Sequence, residues 1–264
     1  MSNENNNGRG DVTTLNVALQ FAGNRLLASL KPVDRSIIEP MMSAVLLNRG
    51  DVLFEPGEDV THTYFPGPGV VASLVVTMAD GRAVEAATIG REGAVGGIVS
   101  AGSKPAFARA IVQIGGTALK IETPQLESAK ERSSAVRDLF SRYADTLLAQ
   151  TMQSVACNAL HPIDARLCRW LLTTHDRVDS DEIALTQEYL AEMLGVQRTT
   201  VSGVARLLQE RGLIAYSRGR MVVLDRTGIE QCACECYQVV QNHFKTVLPD
   251  TRPQKVVDAK TASQ

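Results

Sequence analysis

Apolar positions in residues 186–224 fall into two helical stripes followed by two short alternating runs. Leu190, Ala191 and Leu194 form the first stripe, and Val201, Val204 and Leu208 the second, both at the spacing of amphipathic helices. Gly195-Val196 between them predicts a tight turn, and Ser217-Arg218-Gly219-Arg220 predicts the tip of a β-hairpin. Thr186 reads as the N-cap of the first helix, with Glu188 in its opening turn. Two crossed amphipathic helices joined through a glycine are the pattern of a helix-turn-helix, whose second helix can enter a DNA major groove.

The rest of the chain divides by its glycines. Twelve of the 20 lie between Gly50 and Gly116, and none lies between Gly116 and Gly195. In the glycine-rich part, Val70–Met78, Arg82–Ile89 and Ala108–Ile114 are short β-branched runs between turn signals, which predicts strands of a sandwich or barrel. In the glycine-free part, Ser133–Leu160 predicts one long helix. Val136, Phe140, Tyr143 and Leu147 mark one apolar side, while Leu148, Met152 and Val155 mark another. A helix apolar on two sides must be covered on two sides, by its own β-domain and by the same helix of a second subunit. Ile163–Thr174 predicts a further helix that groups Leu167, Trp170 and Leu171. Asp176–Glu182 reads as an exposed acidic loop, and Arg226–Phe244 as a closing helix.

Composition narrows the function. The net charge of −2 excludes a generic polyanion binder. From Gln197 to Arg220, however, five arginines face one acid, Glu210, for a local charge of +4 without a lysine. Arginine suits bidentate contact with guanine or phosphate. Gln197, Arg198, Thr199, Thr200, Ser202 and Arg206 on the second helix, with Arg218 and Arg220 at the hairpin tip, are therefore the candidate DNA contacts. The competing reading is an adaptor: a sensor domain signalling through protein contacts, with a winged helix that has lost DNA binding. Five cysteines without a disulfide-framework spacing, no signal-peptide pattern and no long apolar run point to a cytoplasmic protein without membrane contact. No Ser/His/Asp grouping and no phosphate loop opening a helix is present, so no enzyme is expected.

The order of these parts and several runs of residues resemble the Crp/Fnr family of bacterial transcription regulators. LLNRGDVLFEPGE (46–58), YFPGPGVVASLV (64–75) and DGRAVEAATIGREGAVGG (80–97) resemble the family's cyclic-nucleotide-binding-type β-roll. RLCRWLL (166–172) and LTQEYLAEMLGVQRTTVSGVARLLQERGLI (185–214) resemble its DNA-binding domain, and the likeness spans roughly residues 25–245. It implies an α+β fold: an N-terminal antiparallel β-roll (a jelly roll), a long dimerisation helix and a C-terminal winged helix-turn-helix. The corresponding divisions are a disordered arm at 1–20, the β-roll sensor at 21–131, the dimer helix at 132–160, the winged domain at 161–246 and a polar tail at 247–264.

Family roles carried onto matching positions make Arg198 the contact to a guanine or phosphate. Thr199 stands where cAMP-responsive relatives have an acidic base reader, and Gly203 where they have a second arginine, which implies a different half-site. Arg206 would restore part of the lost phosphate contact, and Arg218 and Arg220 would lie along the backbone. The implied partners are duplex DNA, a second copy of the chain and, for an activator, RNA polymerase. The cAMP contacts are missing: Gly96-Gly97-Ile98 and Phe107-Ala108 replace the ribose turn and the phosphate-binding arginine pair, so the effector is another molecule or none. Residues 1–60 hold no cysteine, which excludes the N-terminal iron–sulfur cluster of the oxygen-sensing relatives.

Cys232, Cys234 and Cys236 form a local cluster. On a continuous helix Cys232 and Cys236 share a face and Cys234 points away, which suits packing or thiol redox chemistry. A zinc site would need His243 or the second subunit to complete it. His161, just before Pro162, reads as the end of the long helix. No cofactor or metal is assigned on these grounds.

Overall fold

The computed structural model describes residues 17–98, 104–217 and 219–249. Three short helices, α1 (Val17–Gly23), α2 (Arg25–Ala28) and α3 (Pro32–Ile38), precede the first strand. Residues 17–20, expected in the arm, are thus the first turn of α1. Buried Asn24 ties this cap down: its Oδ1 accepts from the Leu27 amide, while Nδ2 donates to the Pro66 and Gly93 carbonyls at 2.9 and 3.0 Å.

Seven antiparallel strands follow in two sheets. β1 (Ser43–Leu47), β7 (Gly116–Glu122) and β3 (His62–Pro66) form one, in the order β1-β7-β3. β2 (Val52–Phe54), β6 (Arg109–Ile114), β4 (Val71–Thr77) and β5 (Ala83–Ile89) form the other, in the order β2-β6-β4-β5. The three predicted strands are β4, β5 and β6. Between the sheets, Leu53, Phe54, Tyr64 and Leu74 pack on Ala72, Ile89, Val95 and Ala110.

α4 (Thr123–Arg132) leads into α5 (Ser134–Leu160), which runs for 27 residues, about 40 Å at the usual helical rise. Its ends are where the sequence places them. Ser133 caps the start by accepting from the Val136 amide, and His161, extended at φ −102° and ψ 144°, closes it ahead of Pro162. Val136, Leu139, Phe140 and Tyr143 pack on the β-roll and the N-terminal helices.

The C-terminal unit contains α6 (Ile163–His175), β8 (Glu182–Ile183), α7 (Gln187–Leu194), α8 (Arg198–Glu210), β9 (Ile214–Ser217), β10 (Arg220–Val223), α9 (Arg226–Cys232) and α10 (Cys236–Val247). Leu167, Trp170 and Leu171 of α6 pack with the apolar faces of α7 and α8, and Val75 of β4 enters the same core. The four-stranded sheet is therefore covered on both faces, which explains why β4 is buried almost continuously instead of alternating.

Two expectations change. The closing helix is not continuous: it breaks at Ala233, extended at φ −72° and ψ 150°, and α10 starts three residues later. The break turns Cys234 into the core beside Cys157 and Cys236 and lets α10 pack along α5. Cys234 therefore shares a buried cluster with Cys236, while Cys232 packs elsewhere. The acidic loop is also not fully exposed. Arg177 is buried, its guanidinium 2.7 Å from Glu92 of the β-roll and donating to the Thr173 and Thr88 carbonyls. A buried charge needs these partners.

Candidate nucleic-acid interface

The presentation of α8 follows from local chemistry. Thr186 Oγ1 accepts from the Tyr189 amide to start α7, and Gly195, left-handed at φ +65°, ends it with its amide on the Ala191 and Glu192 carbonyls. That turn lets α8 cross α7 while Val201, Val204, Ala205 and Leu208 anchor its inner face. The outer face is then committed to no core. Gln197, Arg198, Thr199, Thr200 and Arg206 are exposed. Ser202 is half-buried, its hydroxyl 2.5 Å from Gln187 Oε1 and 3.0 Å from the Arg198 carbonyl oxygen. Of the hairpin tip, Arg220 is exposed, whereas Arg218 lies outside the described residues.

Each described candidate arginine rests on an exposed acid: Arg198 on Glu188 at 2.7 Å, Arg206 on Glu210 at 3.4 Å and Arg220 on Glu182 at 3.1 Å. Exposed pairs of this kind contribute about 0–1 kcal/mol, so a stronger anion can replace the carboxylate at little cost. Gly203 stands on the same exposed side, and a Cβ there would meet nothing within 4 Å. Gly203→Ala should therefore raise stability by about 1 kcal/mol in denaturant unfolding. A loss of stability would show that the helix is not free at this point.

Residues 165–232 match the Crp-like helix-turn-helix domain. The chain also superposes on FixK2 from Bradyrhizobium japonicum with a TM-score of 0.63 at 17% identity, covering 73% of this chain and 98% of that one. A regulator of the Crp/Fnr family from Eubacterium rectale gives 0.60 at 17% identity, over 78% and 96%. A Crp-family transcriptional regulator from Thermus thermophilus gives 0.60 at 20%, over 72% and 96%. This is the Crp/Fnr regulator fold. No curated protein matches the chain.

The Crp-like helix-turn-helix match runs from α6 to the end of α9 and so contains α7, α8 and the hairpin. The turn at Gly96-Gly97 closes on α5: a Cβ on Gly97 would lie 2.5 Å from Phe140 Cε1. An acidic side chain at Gly97 could not be seated without displacing the Phe140 ring. Phe107 is 88% exposed, and Arg109 turns outward to Glu55 at 2.8 Å.

The cysteines separate into two environments. Cys232 packs on the core that holds Cys168, whose thiol burial pushes up to about 12, with Cys232 adding to the shift. A thiol so protonated is a poor nucleophile. Cys234 and Cys236 instead meet Cys157 of α5 and its C-cap His161, whereas His243 pairs with Asp145 at 2.9 Å. Cys157 and His161 stand four residues apart at the end of the predicted helix, a spacing that pairs them with each other but carries no signal for the distant C-x-C segment. Glu85 of β5 carries no signal either, yet its half-buried carboxyl accepts from Trp170 Nε1 across the junction with the β-roll.

Among the described residues, no helix is long and apolar enough to cross a membrane.

Proposed function

We propose that the protein is a homodimeric, sequence-specific transcription regulator that reads duplex DNA with the N-terminal part of α8. The exposed polar face of α8, held outward by an apolar inner face, carries this reading. Gln197, Arg198, Thr199 and Thr200 address base edges or phosphates, Ser202 and Arg206 support them, and Arg218 and Arg220 follow the backbone from the wing. On binding, Arg198, Arg206 and Arg220 exchange carboxylates for DNA.

The second copy docks through Leu148, Met152 and Val155, which places two recognition helices about 34 Å apart on a near-palindromic site. A DNA partner puts the protein in the cytoplasm, and RNA polymerase joins if the bound site activates. The function needs no catalytic step. The Gly97–Phe140 contact and the exposed Phe107 support an effector other than cAMP.

Selection from random duplex DNA tests the reading. The wild type should enrich a two-fold symmetric site, with affinity falling steeply as salt rises. Arg198→Ala should weaken that site by about 1–3 kcal/mol and relax preference at one base position. No enrichment at low salt would instead favour the protein-contact adaptor.

A further inference from the structure

We infer that Cys157, His161, Cys234 and Cys236 form a structural zinc site that staples the end of α5 to the joint between α9 and α10. The four donor atoms all lie within 4.8 Å of one another. Cys157 Sγ is 3.5 Å from Cys234 Sγ, and Cys236 Sγ is 3.5 Å from His161 Nδ1. Zinc–sulfur and zinc–nitrogen bonds of about 2.3 and 2.0 Å at tetrahedral angles put ligand atoms about 3.5–3.8 Å apart. Two of the edges are thus already close to a zinc tetrahedron, and a small contraction closes the rest.

The surroundings suit a metal better than plain packing. Cys157, Cys234 and Cys236 are all buried, and His161 is mostly covered. His161 Nε2 lies 3.2 Å from Glu235 Oε1, so a carboxylate orients the ring with Nδ1 toward the sulfurs. That is how metal-bound histidines are usually held. Gln153 Nε2 donates to Cys236 Sγ at 3.0 Å, and the Arg166 guanidinium lies within Coulombic reach of Cys157 and Cys234. A tris-thiolate zinc with one neutral histidine carries a net negative charge, which both groups would offset. Binding forms three Zn–S bonds and one Zn–N bond, and the three thiol protons go to solvent. Four donors around one ion, rich in sulfur and tetrahedral, favour zinc over harder cations.

The staple also explains the break at Ala233. A continuous helix would carry Cys234 away from Cys236, while the extended residue turns both toward Cys157. The ion would hold the DNA-binding unit against the dimer helix. Its effect on DNA affinity rests on the regulator reading above; the metal content does not.

The test uses the full chain, untagged by polyhistidine and purified in reductant without added metal. Elemental analysis should find about one zinc per chain. Cys157→Ser and Cys236→Ser should lose it, and Cys232→Ser should keep it. Glu235→Gln should weaken zinc binding about 10- to 100-fold. Should the serine variants fail to fold, Co(II) added to chelator-stripped wild type still decides. The site should give an intense thiolate-to-cobalt charge-transfer band with tetrahedral visible absorption, and zinc should erase both. Folded, reduced wild type with neither zinc nor a cobalt spectrum would overturn the proposal. So would iron with acid-labile sulfide, or loss of zinc from Cys232→Ser with retention in Cys157→Ser.

Discussion

Replacing both Met152 and Val155 with glutamate should leave folded monomers whose affinity for a two-half-site duplex is lower by about 10²–10⁴-fold. Leu148, Met152 and Val155 are 58%, 64% and 67% exposed, large apolar side chains on the uncovered side of α5. The β-roll and N-terminal helices take the side bearing Val136, Phe140 and Tyr143, and α10 packs along another. Together with exposed Ala159, Leu148, Met152 and Val155 follow the four-three-four spacing of a coiled-coil seam. A two-fold axis along such a seam sets each residue against its own counterpart or a near neighbour. Glutamates there would face glutamates and leave the remaining apolar area without a partner.

Solution mass separates this effect from misfolding, because the substituted positions touch no core and circular dichroism should be unchanged. Affinity for a single half-site should fall little. A dimer of unchanged mass and DNA affinity would place the subunit interface elsewhere.

What could be read in the sequence was whatever local chemistry decides. The bounds of α5 follow from a serine that caps and a proline that stops. The turn between α7 and α8 follows from Thr186 and from a glycine that tolerates a left-handed backbone. The polar face of α8 was legible because its apolar positions already assign the opposite side to the core. The break at Ala233 was not, since nothing in QCACECY disfavours a helix; the partner that draws Cys234 inward lies 77 residues away. Arg177 was hidden for the same reason, as its partner Glu92 belongs to the other unit. Both failures concern polar or small residues whose surroundings are made by distant segments.

Glu85→Ala should cost about 3 kcal/mol, because it strips one shared acceptor from several buried neutral donors. Glu85 is half-buried on β5, where the C-terminal unit closes over the outer face of β4, β5 and β6. Its carboxylate accepts from Trp170 Nε1 at 3.0 Å, Gln113 Nε2 at 2.6 Å, Thr88 Oγ1 at 2.6 Å and the Ser73 hydroxyl. Alanine would leave those donors buried without an acceptor, each at about 1–3 kcal/mol and not additively. Trp170 belongs to α6 and the other three donors to the β-roll, so the loss falls on the joint between the β-roll and the C-terminal unit. Amide hydrogen exchange in α6 should accelerate accordingly.

Titration gives an independent readout. Burial pushes the Glu85 carboxyl up, against the Ser73 and Thr88 hydroxyls and the charges of Arg169 and Arg177, which favour the ionised form. A carboxyl raised in the folded state adds stability that is complete below its unfolded pKa and is lost as pH rises through the folded value. Wild type should therefore gain stability relative to Glu85→Gln, which cannot titrate, as pH falls from 7 toward 5 in denaturant unfolding. A constant gap across that range would mean that the donors, not burial, dominate this carboxylate and that it stays charged within the joint.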